Sequence, residues 1–240
     1  MTAAPAYPQA LEQLYGTFAA YARPTHIDAC PCCADERDLR PISTKALRAL
    51  TPEDLRAYAS SALFTVGGAA DFKFLLPRLY DLAAQDAFDC AGTDPESLFG
   101  RVRHLPADSG LTPGEQRAVN TFLQAWWMRT LETPGAWPDT ATVLVSALNA
   151  GQSLRPLLDA WLLQTSPTAA AHLAQFIKDH AQQIALGRSF NAYLKDRTIL
   201  PDLHRWLSAE SVALFLEQAF FKASEEDAQD ISDALLFLGR

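Results

Sequence analysis

Three of the chain's four cysteines fall within four residues, Cys30-Pro31-Cys32-Cys33, and His26 stands four positions upstream. Cys30 and Cys33 form a C-x2-C pair whose turn can aim two thiolates at one tetrahedral ion, and Cys32 offers an alternative or third ligand. A zinc site takes about four ligands at ~2.0–2.3 Å, so the candidate set is His26, Cys30, Cys32, Cys33 and the distant Cys90. Closure through Cys90 would clamp the cysteine segment to the helix that follows Asp71. The sequence lacks a second C-x2-C or H-x3-H pair, the usual complement of such a half-site. The same thiols permit redox chemistry, with Cys30 attacking a disulfide and Cys33 resolving the mixed intermediate. That motif ordinarily sits between a strand and a helix, whereas here it lies in a loop of a helical chain. Free cysteine is also among the most buried residue types, so the cluster can simply pack its loop onto the core. Metal, redox and packing stay open at this level, and the exposure of the sulfurs separates them.

No other group of residues defines a reaction. The five histidines show no H-E-x-x-H spacing, and G-x-S-x-G, G-x-G-x-x-G and P-loop sequences are absent. His172 and Asp179, with His180 adjacent, read as solvent-facing polar residues of one helix. In Asp71-Phe72-Lys73-Phe74-Leu75-Leu76-Pro77-Arg78, Asp71 stands where a helix cap belongs, and Pro77 either kinks the helix or marks its start. Lys73, Arg78 and Asp81 could meet an acidic ligand, but pairing of Arg78 with Asp81 at i,i+3 is the simpler account. Trp126-Trp127 read as core or interface, and Glu225, Glu226, Asp227, Asp230 and Asp233 as a solvated helix face.

The elements that must position these groups are helices. With 240 residues, 49% of them hydrophobic and 20% charged, the chain can bury a full core, and one continuous domain, 1–240, is expected. Helix-start signals recur at Thr51-Pro52-Glu53-Asp54, Thr112-Pro113-Gly114-Glu115, Ser166-Pro167, Ser208-Ala209-Glu210 and Ser224-Glu225-Glu226-Asp227, while alternating strand patterns are missing. The reading is all-α, with about a dozen helices at 8–22, 43–49, 51–65, 71–88, 95–103, 113–132, 138–150, 153–164, 167–186, 198–206, 209–222 and 225–238. The longest loop, 23–42, carries the cysteines. The stretch from Val212 to Phe221 is apolar on nearly every side and is expected at the centre of the fold. Leu76-Pro77-Arg78-Leu79, Arg155-Pro156-Leu157-Leu158 and Leu200-Pro201-Asp202-Leu203 each join a proline, a leucine and a later apolar residue. Their spacing matches one or two periods of ~40–47 residues, which points to stacked helical hairpins of the HEAT type.

The order of motifs carries a resemblance. Tyr21-x-x-Pro24 leading into Cys30-Pro31-Cys32-Cys33, then Leu47-Arg48 and Leu55-x-x-Tyr58, and finally Asp71-Phe72-Lys73-x-x-Leu76-Pro77-Arg78, resembles an uncharacterised bacterial family with a CPCC motif and a DFK-x-x-LPR motif. It covers about the first third of the chain. The resemblance implies a bacterial, cytoplasmic setting and no catalytic assignment. Gly67-Gly68 departs from the Gly-Asp-like pair expected before the second motif.

A formal net charge of -8 disfavours nucleic acid as a partner. The first residues lack a secretory pattern and no span reaches the roughly 18 apolar residues of a membrane helix, so the expected compartment is the cytoplasm and no membrane contact is expected. Two functions follow as expectations. One is a helical interaction protein that offers a concave surface to another protein. The other is a metal- or thiol-dependent enzyme or sensor built on the CPCC loop, with zinc as the candidate ion.

Overall fold

Local start signals set most of the helices in the computed structural model, which describes residues 5–90 and 92–239. Among these residues there are twelve α-helices and no strand, only two isolated bridges, Ala29 with Val66 and Ala62 with Val66. The helices are α1 (Tyr7–Phe18), α2 (Glu36–Thr44), α3 (Pro52–Ser61), α4 (Ala69–Ala83), α5 (Pro95–Gly100), α6 (Pro113–Glu132), α7 (Thr140–Asn149), α8 (Leu154–Leu162), α9 (Pro167–Ala185), α10 (Leu200–Leu207), α11 (Glu210–Phe220) and α12 (Glu225–Phe237). No helix among the described residues is long and apolar enough to cross a membrane.

The chain divides into two compact units. One ends at Trp126 and takes back Asn149–Gly151; the other holds Trp127–Leu148 and the chain from Gln152 onward. In the first unit α1 packs on α4, α2 on α3, and α5 on α4. Its core is aromatic: Tyr80 and Phe99 lie 4.3 Å apart between ring centroids, and Phe99 stacks on Trp126 at 4.7 Å. The Tyr80 hydroxyl donates to the Phe99 carbonyl at 3.0 Å, which satisfies a fully buried polar atom. In the second unit Trp161 is wholly buried, edge-on to Trp127, and donates to the Ala169 carbonyl at 2.9 Å. Trp126 and Trp127 are therefore both core residues, one in each unit.

Several sequence expectations are corrected. The loop 23–42 is shorter than expected, because α2 begins at Glu36. Asp35 caps it by accepting the Arg37 amide at 2.9 Å, Glu36 and Asp38 occupy the first turn, and Leu39 and Ile42 are buried. Pro41 lies inside this helix, where it removes one backbone donor and does not end the element. Pro77 likewise lies well inside α4. That helix is capped at Gly68, whose amide donates to Asp71 Oδ2 at 2.8 Å, so Asp71 is the third helical residue and not the cap itself. Pro156 and Pro201 sit in first turns, so the three proline segments are not equivalent positions.

The helix at the centre of the second unit is α9, which packs against α10, α11 and α12. By contrast, α11 buries only Val212, Ala213 and Leu216, and leaves Leu214, Phe220 and Phe221 exposed. A helix apolar on all sides can be surrounded, or it can carry an uncovered apolar face; composition does not distinguish them. His180 also differs from its solvent-facing expectation. It is half-buried against Phe176 and Phe190, and burial lowers its pKa against the opposing pull of Asp179 and Asp139.

Candidate metal-thiolate site

Cys30-Pro31-Cys32-Cys33 forms a tight turn. The Cys33 amide donates to the Cys30 carbonyl at 2.8 Å and the Ala34 amide donates to the same oxygen at 3.2 Å. Proline at the second position suits such a turn because its φ is already set, and its missing N–H faces no acceptor. Ile27 before the turn and Ala34 after it are buried, whereas Pro31, Cys32 and Cys33 are exposed and Cys30 is half-buried. Both ends of the segment are pinned by apolar contact and the sulfurs are left outside.

A second device holds the turn. The Cys30 amide donates to the Thr65 carbonyl at 2.9 Å and the Gly67 amide donates to the Asp28 carbonyl at 2.7 Å, so the loop borrows a short ladder from the turn after α3. Gly67 has φ +68°, and a Cβ there would lie 2.7 Å from Cε2 of the buried Tyr58 ring. Both backbone conformation and space therefore require glycine. Gly67→Ala is expected to lower the unfolding free energy by about 1–3 kcal/mol in urea denaturation. A change within experimental error would show that this turn relaxes freely.

The same turn is fixed from beneath by Arg101. Its guanidinium donates to the carbonyls of Ala62 at 3.2 Å, Ser60 at 2.8 Å and Gly92 at 3.4 Å, and stacks on the Phe64 ring at 4.2 Å. Only 5% of the residue is exposed, and burial lowers its pKa from the usual arginine range.

The three sulfurs of Cys30, Cys32 and Cys33 all lie within 4.8 Å of one another. Cys30 Sγ is 2.8 Å from Cys32 Sγ, and Cys32 Sγ is 3.7 Å from Cys33 Sγ. The hydrogen bond from the Cys32 thiol holds the Cys30 pKa below its ordinary value, while the same contact raises that of Cys32 to about 11.

His26 and Cys90 do not join this group. His26 Nε2 lies 3.4 Å from Asp28 Oδ1 on open surface, and Cys90 Sγ lies 3.4 Å from Thr93 Oγ1. The residues that hold the loop, Gly67 and Arg101, carried no functional signal in the sequence. There the glycine pair figures as a departure from the resemblance, and Arg101 only as a position within the helix expected at 95–103.

The second motif is occupied internally. Lys73 Nζ donates to Glu115 Oε2 at 3.2 Å and to the Gly110 carbonyl at 2.8 Å. Arg78 donates to Asp81 Oδ2 at 2.7 Å and to the Leu50 carbonyl at 2.8 Å, and the Tyr15 hydroxyl completes the set by donating to Asp81 at 3.0 Å. Pairing of Arg78 with Asp81 agrees with the sequence reading. These contacts tie helices together and leave no cationic groove at Lys73, Arg78 and Asp81.

No known family model matches the chain, and neither curated proteins nor solved structures yield a match.

Proposed function

We propose that this protein binds one thiolate-preferring metal ion, zinc in the first place, through Cys30, Cys32 and Cys33 on its surface turn. The observation that carries this reading is the convergence of three sulfurs within 4.8 Å on a segment whose backbone is held at both ends. Packing accounts poorly for the cluster, because Cys32 and Cys33 are exposed. Tetrahedral zinc with Zn–S near ~2.3 Å separates its sulfurs by about 3.8 Å. The Cys32–Cys33 distance of 3.7 Å already suits this, and Cys30 and Cys32 must part by about 1 Å.

Three protein ligands leave a fourth position for water or an outside ligand, the arrangement of reactive and exchanging zinc sites as opposed to closed structural ones. Binding releases the thiol protons, so affinity rises with pH until all three sulfurs are ionised. The chain supplies the donors, their backbone frame and open access.

The test is zinc and iron per chain by elemental analysis of protein purified without affinity tag or chelator, before and after loading with zinc. The expected result is near one zinc per chain, lost in Cys30→Ser. No zinc even after loading overturns the metal reading. If Cys30 then oxidises and is re-reduced by a dithiol, the thiol-redox reading, favoured by the lowered Cys30 pKa and its close neighbour Cys32, replaces it.

A further inference from the structure

We propose that the outer face of α11 and α12 docks a basic amphipathic helix of a partner protein. The face begins with exposed apolar side chains: Phe221 is 88% exposed, Leu236 69%, Leu214 46% and Phe220 37%. Phe220 and Phe221 meet edge to face at 5.4 Å and share a groove with Glu217, Ser232, Leu235 and Leu236, and Leu214 lies one turn before Glu217 on α11. Four large exposed apolar groups, three of them around one groove, exceed the scattered exposure ordinary for a surface.

Charge identifies the occupant. Along α11, Glu210, Leu214, Glu217 and Phe221 follow one another at steps of four, three and four residues, so acid and apolar groups alternate down one helix face, and all four are exposed. From Glu210 to Gly239 the sequence has seven acids and a single base, Lys222. Asp230 is spent on Lys178, and Asp227 on the α12 cap at Ser224, whereas Glu217 lines the groove itself and Glu225 and Glu226 are exposed at the start of α12. An apolar floor with an acidic rim complements a helix that has leucine-like residues on one stripe and lysine or arginine beside it.

The same charge argues against other occupants. A second copy would bring the same acids face to face across a two-fold axis, in a chain already at -8. An anionic bilayer would repel them.

The probe is a labelled helical peptide of leucine and lysine at heptad spacing, compared with its leucine-glutamate counterpart, each titrated into the full chain and followed by fluorescence anisotropy. The lysine peptide is expected to bind and the glutamate peptide to fail. The double change Phe221→Ser with Leu236→Ser alters only exposed side chains and keeps the charge, and it should weaken binding about tenfold or more. Glu210→Gln with Glu217→Gln should weaken it and flatten its salt dependence. Circular dichroism checks that each variant is folded. Equal binding of the two peptides, or full binding by the serine variant, overturns the proposal. So does Phe221-dependent dimerisation in sedimentation, or a preference for phosphatidylcholine vesicles over the lysine peptide.

Discussion

Lys73→Met is expected to lower the unfolding free energy by about 3–5 kcal/mol, the range for removing one partner of a buried ion pair. Both side chains are 7% exposed, and Glu115 gathers three donors: Lys73 Nζ, the Tyr21 hydroxyl and the Thr112 amide at 2.7 Å. Burial opposes charge on Lys73, but its bonds to Tyr21 and Glu115 outweigh that and raise its pKa. Burial also opposes the Glu115 carboxylate, and bonds from Tyr21, Thr112 and Lys73 outweigh it and lower that pKa. Methionine fills the lysine stem's space and removes the charge, leaving a buried carboxylate with two neutral donors. Denaturant unfolding at neutral pH measures the loss. Lys73→Met combined with Glu115→Gln should recover part of it, because the uncompensated charge is gone.

The pH dependence has a definite sign. A depressed carboxylate contributes stability that is present above its unfolded pKa of ~4.3 and is lost as pH falls through the folded value. In Lys73→Met the Glu115 pKa moves upward, so the variant should lose less on acidification than the wild type does. A loss below about 1 kcal/mol at neutral pH would place this pair among surface-like contacts and remove the explanation given for the buried lysine.

Arg101→Met has the second large expected effect, about 2–4 kcal/mol, because three carbonyl oxygens lose a charged donor at a buried place. Arg101→Lys should rescue little, since an ammonium cannot span the fork that reaches Ser60, Ala62 and Gly92 together. The residue touches none of the cysteines. It fixes the backbone at Ser60 and Ala62, and the turn that follows supplies Thr65 and Gly67 to the cysteine loop. If zinc binds at the three thiols, Arg101→Met should weaken it by about 10–100-fold in a competition titration with a chromogenic chelator, the scale for residues that orient ligands from behind. Unchanged zinc affinity in a folded but destabilised variant would limit Arg101 to stability and show that the loop frames itself.

Local chemistry made much of the architecture legible. The span α6, 113–132, follows from Thr112, Pro113 and Glu115, and the structure shows the reciprocal bonds between Thr112 and Glu115. The starts of α3, α9 and α12 are legible for the same reason, since a cap and its first turn lie within a few residues of one another. Where a signal is ambiguous locally, the sequence misleads. The stretch 36–42 reads as part of a loop, yet Asp35 caps it and burial of Leu39 and Ile42 holds α2 around Pro41. Apolarity from Val212 to Phe221 suggests a central helix, yet nothing local says how many sides of it will be covered.

The candidate site divides in the same way. The sequence by itself determined that three thiols share one turn, because proline between cysteines restricts the backbone over so short a span. Only the tertiary structure decided that the sulfurs face outward, that His26 and Cys90 stand apart from them, and that Gly67 and Arg101 hold their frame. The physical reason is range: a turn is set by dihedral preferences of adjacent residues, whereas exposure and the meeting of Asp28 with Gly67, or of Ser60 with Arg101, depend on packing between segments distant in sequence.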